Sequence, residues 1–204
     1  INKGGLNLKK PILLIAGVMT SGKTTLAKSL VEHGVYDFMM ELDTIKEWTA
    51  GGKLRMGKLW NEHPSLAKRI TTESSRYAGV MLNTLPNVVV SGVWPGEVNL
   101  ILERVQDWRL IVLKTPVKEE AWTRWLQRSL RSQISGDEDE VKRIRYDFDM
   151  SPWGKDSWWD EFRVKMVDFA KFASRKNKLV NLSDILGTDL ANHSDFSIIR
   201  TETI

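Results

Sequence analysis

Short apolar runs and longer apolar stripes alternate along the 204 residues of this chain. Pro11-Ile12-Leu13-Leu14-Ile15-Ala16 is continuous and of strand length, the pattern of a strand covered on both faces. From Thr25 the period changes: Leu26, Leu30 and Val31 fall at helical spacing, and Gly34 closes the segment. Residues 35–42 predict a second strand, with Asp43 at its end and a short helix over 44–48. After a break at Gly51-Gly52-Lys53, Ser65 caps a long helix through Leu66, Ile70, Tyr77, Val80, Met81 and Leu82. Val88-Val89-Val90-Ser91-Gly92 is a β-branched run and the third strand, followed by a helix over 97–105. Residues 108–113 predict a fourth strand, closed by Thr115-Pro116, and 118–131 a helix. An acidic loop at 136–140, a charged segment at 141–149 and a break at 151–155 follow. Ser157 then caps a last long helix through Phe162, Met166, Phe169 and Phe172, and 178–182 predicts a fifth strand.

Strands and helices therefore alternate five times, without internal repeat or low-complexity linker. The expected fold is α/β: a three-layer α/β/α sandwich around a five-stranded parallel sheet, forming a single domain over 1–204 with flexible ends at 1–10 and 188–204. In such sheets the active residues gather beyond the carboxyl ends of the strands.

Between the first strand and the first helix lies Gly17-Val18-Met19-Thr20-Ser21-Gly22-Lys23-Thr24-Thr25, which fits glycine, four residues, Gly-Lys-Ser/Thr. Strand, glycine-bounded loop and helix start, in that order, are the context a phosphate-binding loop requires. Gly17 and Gly22 allow backbone conformations closed to other residues and keep side chains away from a phosphate. The N–H groups of the loop, from Thr20, Ser21 and Gly22 on to Thr25, form an anion nest at the positive end of the helix. Lys23 reaches the β- and γ-phosphates as a point charge, and the Thr24 hydroxyl holds Mg²⁺. ATP and Mg²⁺ are the expected cofactors.

Composition narrows the class without naming a substrate. Apolar residues are 42% and charged residues 27%, ordinary for a globular protein, and no apolar run approaches the roughly 20 residues that cross a bilayer. The first five residues carry no apolar core of a secretion signal. The absence of cysteine excludes disulfides and thiolate metal sites. A need for ATP implies the cytoplasm, that of the host if the protein is viral. Net charge is +4, compatible with a polyanionic partner, and nine tryptophans are an unusual number.

The order of parts over about residues 11–184 resembles the small P-loop kinases, which include nucleoside, nucleotide, shikimate, gluconate and polynucleotide kinases. In that family an acid after the second strand faces the acceptor hydroxyl. Asp43, in Glu41-Leu42-Asp43-Thr44, matches it best, with Glu41 as the fallback. A carboxylate there takes the hydroxyl proton and orients the oxygen, and Asp43 would also help hold the metal. An Asp in this position also suits capping of the next helix. The resemblance further implies a helical lid over about 124–150, with Arg124 and Arg128 on the transferring phosphoryl group and Arg131, Arg143 and Arg145 as weaker candidates. A solvated helix face would carry the same arginines. The third strand ends Val90-Ser91-Gly92-Val93-Trp94 without the metal-binding acid of many triphosphate hydrolases, which argues against a motor ATPase or GTPase. Gly92 would let a substrate approach that strand end.

For the acceptor, Trp94 and the cluster Trp153, Trp158 and Trp159 beside Lys155 suggest base stacking, although a Trp-Trp pair before an amphipathic helix also suits a core. Lys53, Arg55, Lys58, Arg69 and Arg76 could line a strand of phosphates or a solvated surface. Layout and composition resemble the polynucleotide-kinase branch and the phage kinases of hydroxymethyluracil in DNA. The expected acceptor is a hydroxyl of nucleic acid or a nucleotide. The alternatives are a free nucleoside or nucleoside monophosphate, or an ATP switch without an acceptor.

Overall fold

A computed structural model describes residues 10–52, 59, 62–132, 138–150 and 154–191. The chain begins with β1 (Ile12–Ala16), α1 (Lys23–Glu32), β2 (Phe38–Glu41), α2 (Leu42–Ala50) and α3 (Pro64–Leu82). It continues through β3 (Val88–Val93), α4 (Pro95–Leu102) and β4 (Trp108–Val112). Four helices close it: α5 (Lys118–Ser132), α6 (Glu138–Met150), α7 (Asp156–Arg175) and α8 (Leu182–Ala191). Proline at the first helical position opens α3 and α4, where its missing N–H costs nothing.

The strands form one parallel sheet in the order β2-β3-β1-β4. Alternation along the strands divides the core into two layers. Ile12, Leu14 and Ala16 of β1, with Val88 and Val90 of β3, face Ala78 and Leu82 of α3, Val98 and Ile101 of α4, and Met166 and Phe169 of α7. Leu13 and Ile15, with Val89 and Ile111, face Leu26, Ala27 and Leu30 of α1 and Leu182 and Leu186 of α8. Burial on both faces explains why β1 reads as an unbroken apolar run.

Two sequence expectations are corrected. Among the described residues the sheet has four strands, not five. Residues 178–182 make a single bridge, Leu179 to Leu110, with Leu110 N–H donating to the Lys178 carbonyl (2.8 Å) and Val180 N–H to that of Leu110 (3.0 Å). The next backbone donor, Asn181 N–H, goes to the Asp184 carboxylate (3.1 Å), and Leu182 already opens α8. The chain turns into a helix before a ladder can form. The second strand, expected over 35–42, is confined to Phe38–Glu41. The N–H groups of Val35 and Tyr36 both donate to the Leu30 carbonyl, so these buried residues wrap the end of α1. At the other end Leu42 starts α2, which puts Asp43 in the first turn of a helix.

β3 carries an irregularity that shapes the site. Its register against β1 runs Leu14 to Val90 and then Ala16 to Val93, so β3 holds one extra residue around Ser91 and Gly92. Such a bulge re-aims side chains at a strand end.

Candidate active site

The loop from Gly17 to Gly22 joins the end of β1 to α1 as a tight cradle. A Cβ on Gly17 would lie 2.5 Å from Ser21 Oγ and 3.2 Å from Leu113 Cβ, so only glycine fits. Thr20 (φ 62°) and Gly22 (φ 93°) take left-handed backbone, which turns successive N–H groups inward. The Val18 carbonyl accepts three donors that set the loop's shape: Lys23 Nζ at 2.7 Å, Ser21 Oγ at 2.8 Å and Ser21 N–H at 3.3 Å. Lys23 is only 8% exposed, with its ammonium 5.8 Å from the centre of the Trp94 ring. Gly22 is the N-cap of α1 and supplies no side-chain cap, leaving the first helical N–H groups to meet an anion.

The next two residues of the motif diverge. Thr24 Oγ1 donates to Glu41 Oε1 (2.7 Å), and Thr44 Oγ1 donates to Glu41 Oε2 (2.8 Å). Thr25, expected to bind phosphate, is exposed on α1. The last residue of β2 is therefore tied to the hydroxyl expected to hold a metal, and that residue is Glu41.

Asp43 lies one step on. A Cβ on Gly92 would come within 3.2 Å of both the backbone nitrogen and Oδ2 of Asp43. Asp43 is thus the residue that a side chain at Gly92 would crowd at the end of β3. Asp43 Oδ1 meets Lys46 Nζ at 3.3 Å, and Lys46 Nζ also reaches Glu97 Oε2 at 2.8 Å. Burial pushes the Glu97 carboxyl above its ordinary range, the Lys46 charge pulls it back, and Asp43 pushes it up again. Because Gly92 holds φ +76° and a Cβ there would crowd Asp43, Gly92→Ala is expected to lower stability by about 1–3 kcal/mol. Chemical denaturation measures that loss.

Of the arginines, Arg124 is brought to the loop: its guanidinium donates to the Thr20 carbonyl (3.0 Å) and to Glu120 Oε1 (2.6 Å). Arg128 and Arg131 follow on α5, and Arg143 lies on α6, but their side chains lie outside the described residues. Arg145 is held elsewhere, donating to Asp149 Oδ2 (2.8 Å) with its guanidinium carbon 4.8 Å from the Trp122 ring centre. Over the residues described, α6 packs against α5. Phe148 is fully buried, 5.4 Å from the Trp122 ring and 6.2 Å from that of Trp125.

The tryptophans divide as well. Trp159 is 1% exposed and belongs to the core, and Trp158 packs on Phe162 at 4.1 Å between centres. Trp94 meets the same Phe162 edge-on at 5.2 Å. Trp153, Lys53, Arg55 and Lys58 lie outside the described residues. Arg76 pairs with Glu73 (3.1 Å) near Glu103 and Arg104 at the far end of α4, away from the strand ends that carry the loop; Arg69 is exposed on α3.

Three buried hydroxyls at this end of the sheet, those of Thr20, Ser91 and Thr115, have no hydrogen-bond partner. Each costs about 1–3 kcal/mol unless something satisfies it, as expected where a polar ligand belongs. The Thr24 hydroxyl and Glu41 carboxylate are hard oxygen donors that suit Mg²⁺, which typically takes one or two carboxylates together with substrate phosphates. Among the described residues there is no cluster of three or more His, Cys, Asp and Glu able to hold a metal by itself, and no helix long and apolar enough to cross a membrane.

Sequence reasoning missed the Lys46–Glu97 pair and the partner of Thr24. Lys46 and Glu97 are 51 residues apart and carry no motif, and nothing local marks either as buried. Glu41 was within reach, standing two residues before Asp43 in the quoted run.

No protein-family profile matches the chain, and no curated protein matches its sequence. Among solved structures it is similar to a shikimate kinase from Acinetobacter baumannii in complex with shikimate, at 16% identity and a TM-score of 0.43. That match covers 82% of this chain and 94% of the other.

Proposed function

We propose that this chain is an ATP-dependent phosphotransferase that moves the γ-phosphoryl group to a hydroxyl acceptor. One observation supports the reading above all others. Two distant side chains meet the loop that carries Lys23, Glu41 on Thr24 and Arg124 on Thr20, and Asp43 follows Glu41 by two residues beside the end of β3.

The roles follow from the chemistry of each group. Backbone N–H groups of the loop and of the first turn of α1 hold phosphate oxygens. Lys23 exchanges the Val18 carbonyl for a phosphate oxygen, while Ser21 keeps the loop's shape. Thr24 and Glu41 would hold Mg²⁺, which when bound draws off negative charge from the phosphate oxygens. Arg124 adds a fixed positive charge from α5. Asp43 accepts the acceptor's hydroxyl proton and aims the oxygen in line with phosphorus. The two acids thus share out tasks that Asp43 alone was expected to perform.

For the acceptor we favour a nucleotide hydroxyl within nucleic acid, with Trp94 as its aromatic contact. The half-buried Trp94 ring flanks Lys23 directly after the β3 bulge, where a flat base would lie against it while its sugar or substituent hydroxyl reached Asp43. A second reading, a free nucleoside or nucleoside monophosphate, is favoured by Trp159 lying in the core and Arg76 lying away from the loop. Both withdraw support from an extended polymer track.

Incubation with γ-labelled ATP against nucleosides, nucleoside monophosphates, 5′-hydroxyl DNA and RNA, and duplex DNA bearing hydroxymethylated bases tests the assignment. Label in nucleic acid is the expected result, and label only in small molecules selects the second reading. ATP binding with slow hydrolysis and no labelled acceptor overturns both.

A further inference from the structure

α2 and α4 meet through charge rather than hydrocarbon at one point. Lys46 is 6% exposed and Glu97 9% exposed, joined at 2.8 Å, and the same ammonium reaches Asp43. A buried ion pair is a poor source of net stability, since apolar residues of similar volume often serve as well or better. Packing alone therefore gives little reason for a lysine and a glutamate here.

The geometry offers another reason. Asp43 stands in the first turn of α2 with its side chain half exposed, where a carboxylate would ordinarily sample several rotamers. Instead Oδ1 is held by Lys46 at 3.3 Å, and Oδ2 lies beside the bare backbone of Gly92, where a Cβ would come within 3.2 Å of it. Lys46 has a long stem and would move with its partner, but Glu97 fixes it from the other side. Glu97 in turn stands in the first turn of α4, where the helix dipole favours a negative charge. Gly92 and Glu97 come from β3 and α4, and Asp43 and Lys46 come from α2, so the cluster also sets α2 against the end of β3.

We infer that Lys46 and Glu97 are positioning residues whose task is to hold the Asp43 carboxylate in a single orientation towards the acceptor hydroxyl. The inference rests on the phosphotransferase reading above. Lys46 is too buried to be an acceptor ligand itself, so it acts through Asp43. A misplacement of the order of 1 Å at a reacting group costs about 10²-fold in rate, which sets the expected size of the effect.

A double-mutant cycle tests it, using γ-labelled ATP and either a 5′-hydroxyl oligonucleotide or thymidine, whichever accepts label. Lys46→Met is expected to lower kcat about 10²-fold with KM for ATP unchanged. Added to Asp43→Asn, it is expected to cost less than about 3-fold more, because a residue acting through Asp43 has nothing left to position. Multiplying losses in the double variant would overturn the inference. Should Lys46→Met fail to fold, Glu97→Gln is close in shape and supplies the same cycle. A crystal structure of the soluble variant decides independently of activity: an Asp43 carboxylate still seated on Gly92 would refute positioning. If the wild-type protein labels no acceptor of the full panel above, the phosphotransferase reading loses its support, and that crystal structure alone judges the clamp.

Discussion

Replacing Lys23 with methionine is expected to lower phosphoryl transfer by about 10²–10³-fold while the protein stays folded. The rate loss follows from removing a fixed charge at the position where negative charge gathers on the transferring group. The survival of the fold follows from the loop's own hydrogen bonds. The Val18 carbonyl loses the lysine at 2.7 Å but keeps the Ser21 hydroxyl at 2.8 Å and the Ser21 N–H at 3.3 Å, so no buried acceptor is stranded. Methionine restores most of the buried stem beside Trp94. A thermal melt within a few degrees of the parent, together with label transfer measured at saturating ATP, separates the two effects. Transfer at the parental rate would remove Lys23, and the loop with it, from the chemistry.

The loop was legible because all of its parts are local. Apolar run, glycines, lysine and helix start stand within 20 residues, and the structure folds them as a contiguous β1–loop–α1 unit. The alternation of strands with helices was legible for a similar reason, since burial on both faces writes continuous apolar runs into β1 and β3. What failed was decided by distant partners or by competing hydrogen bonds. Val35 and Tyr36 look like strand residues, yet their N–H groups are taken by the end of α1. Leu179 and Val180 look like a strand, yet α8 begins before a second pairing. Trp158 and Trp159 suited either base stacking or a core, and only the packing of α7 shows that Trp159 is core.

How the two acids after β2 divide their contacts was not legible in the sequence. Sequence spacing placed an acid after β2 but could not say which of Glu41 and Asp43 would meet Thr24. A one-residue difference in where the strand ends decides it. With β2 closing at Glu41, that side chain turns to the α1 hydroxyl, and α2 carries Asp43 on to Gly92. Lys46 and Glu97 had no local signature, because a buried lysine and a solvated one are written with the same letter.

Asp43→Asn is therefore the most informative acid substitution, with an expected loss of about 10²–10⁴-fold in transfer and ATP affinity nearly unchanged. Asparagine matches the shape, so the contact with Gly92 survives, and Lys46 keeps its shorter bond to Glu97 at 2.8 Å when the one at 3.3 Å is weakened. What disappears is the capacity to take a proton. Binding is spared because the hydrogen bond between Thr24 and Glu41 does not involve Asp43. Glu41→Gln should show the opposite pattern, with nucleotide binding losing its dependence on magnesium. The pair of variants, assayed by labelled transfer and by nucleotide titration with and without magnesium, separates proton abstraction from metal holding. If Asp43→Asn transferred phosphate normally while Glu41→Gln did not, the base would have to be Glu41, and Asp43 would only help hold α2 against the end of β3.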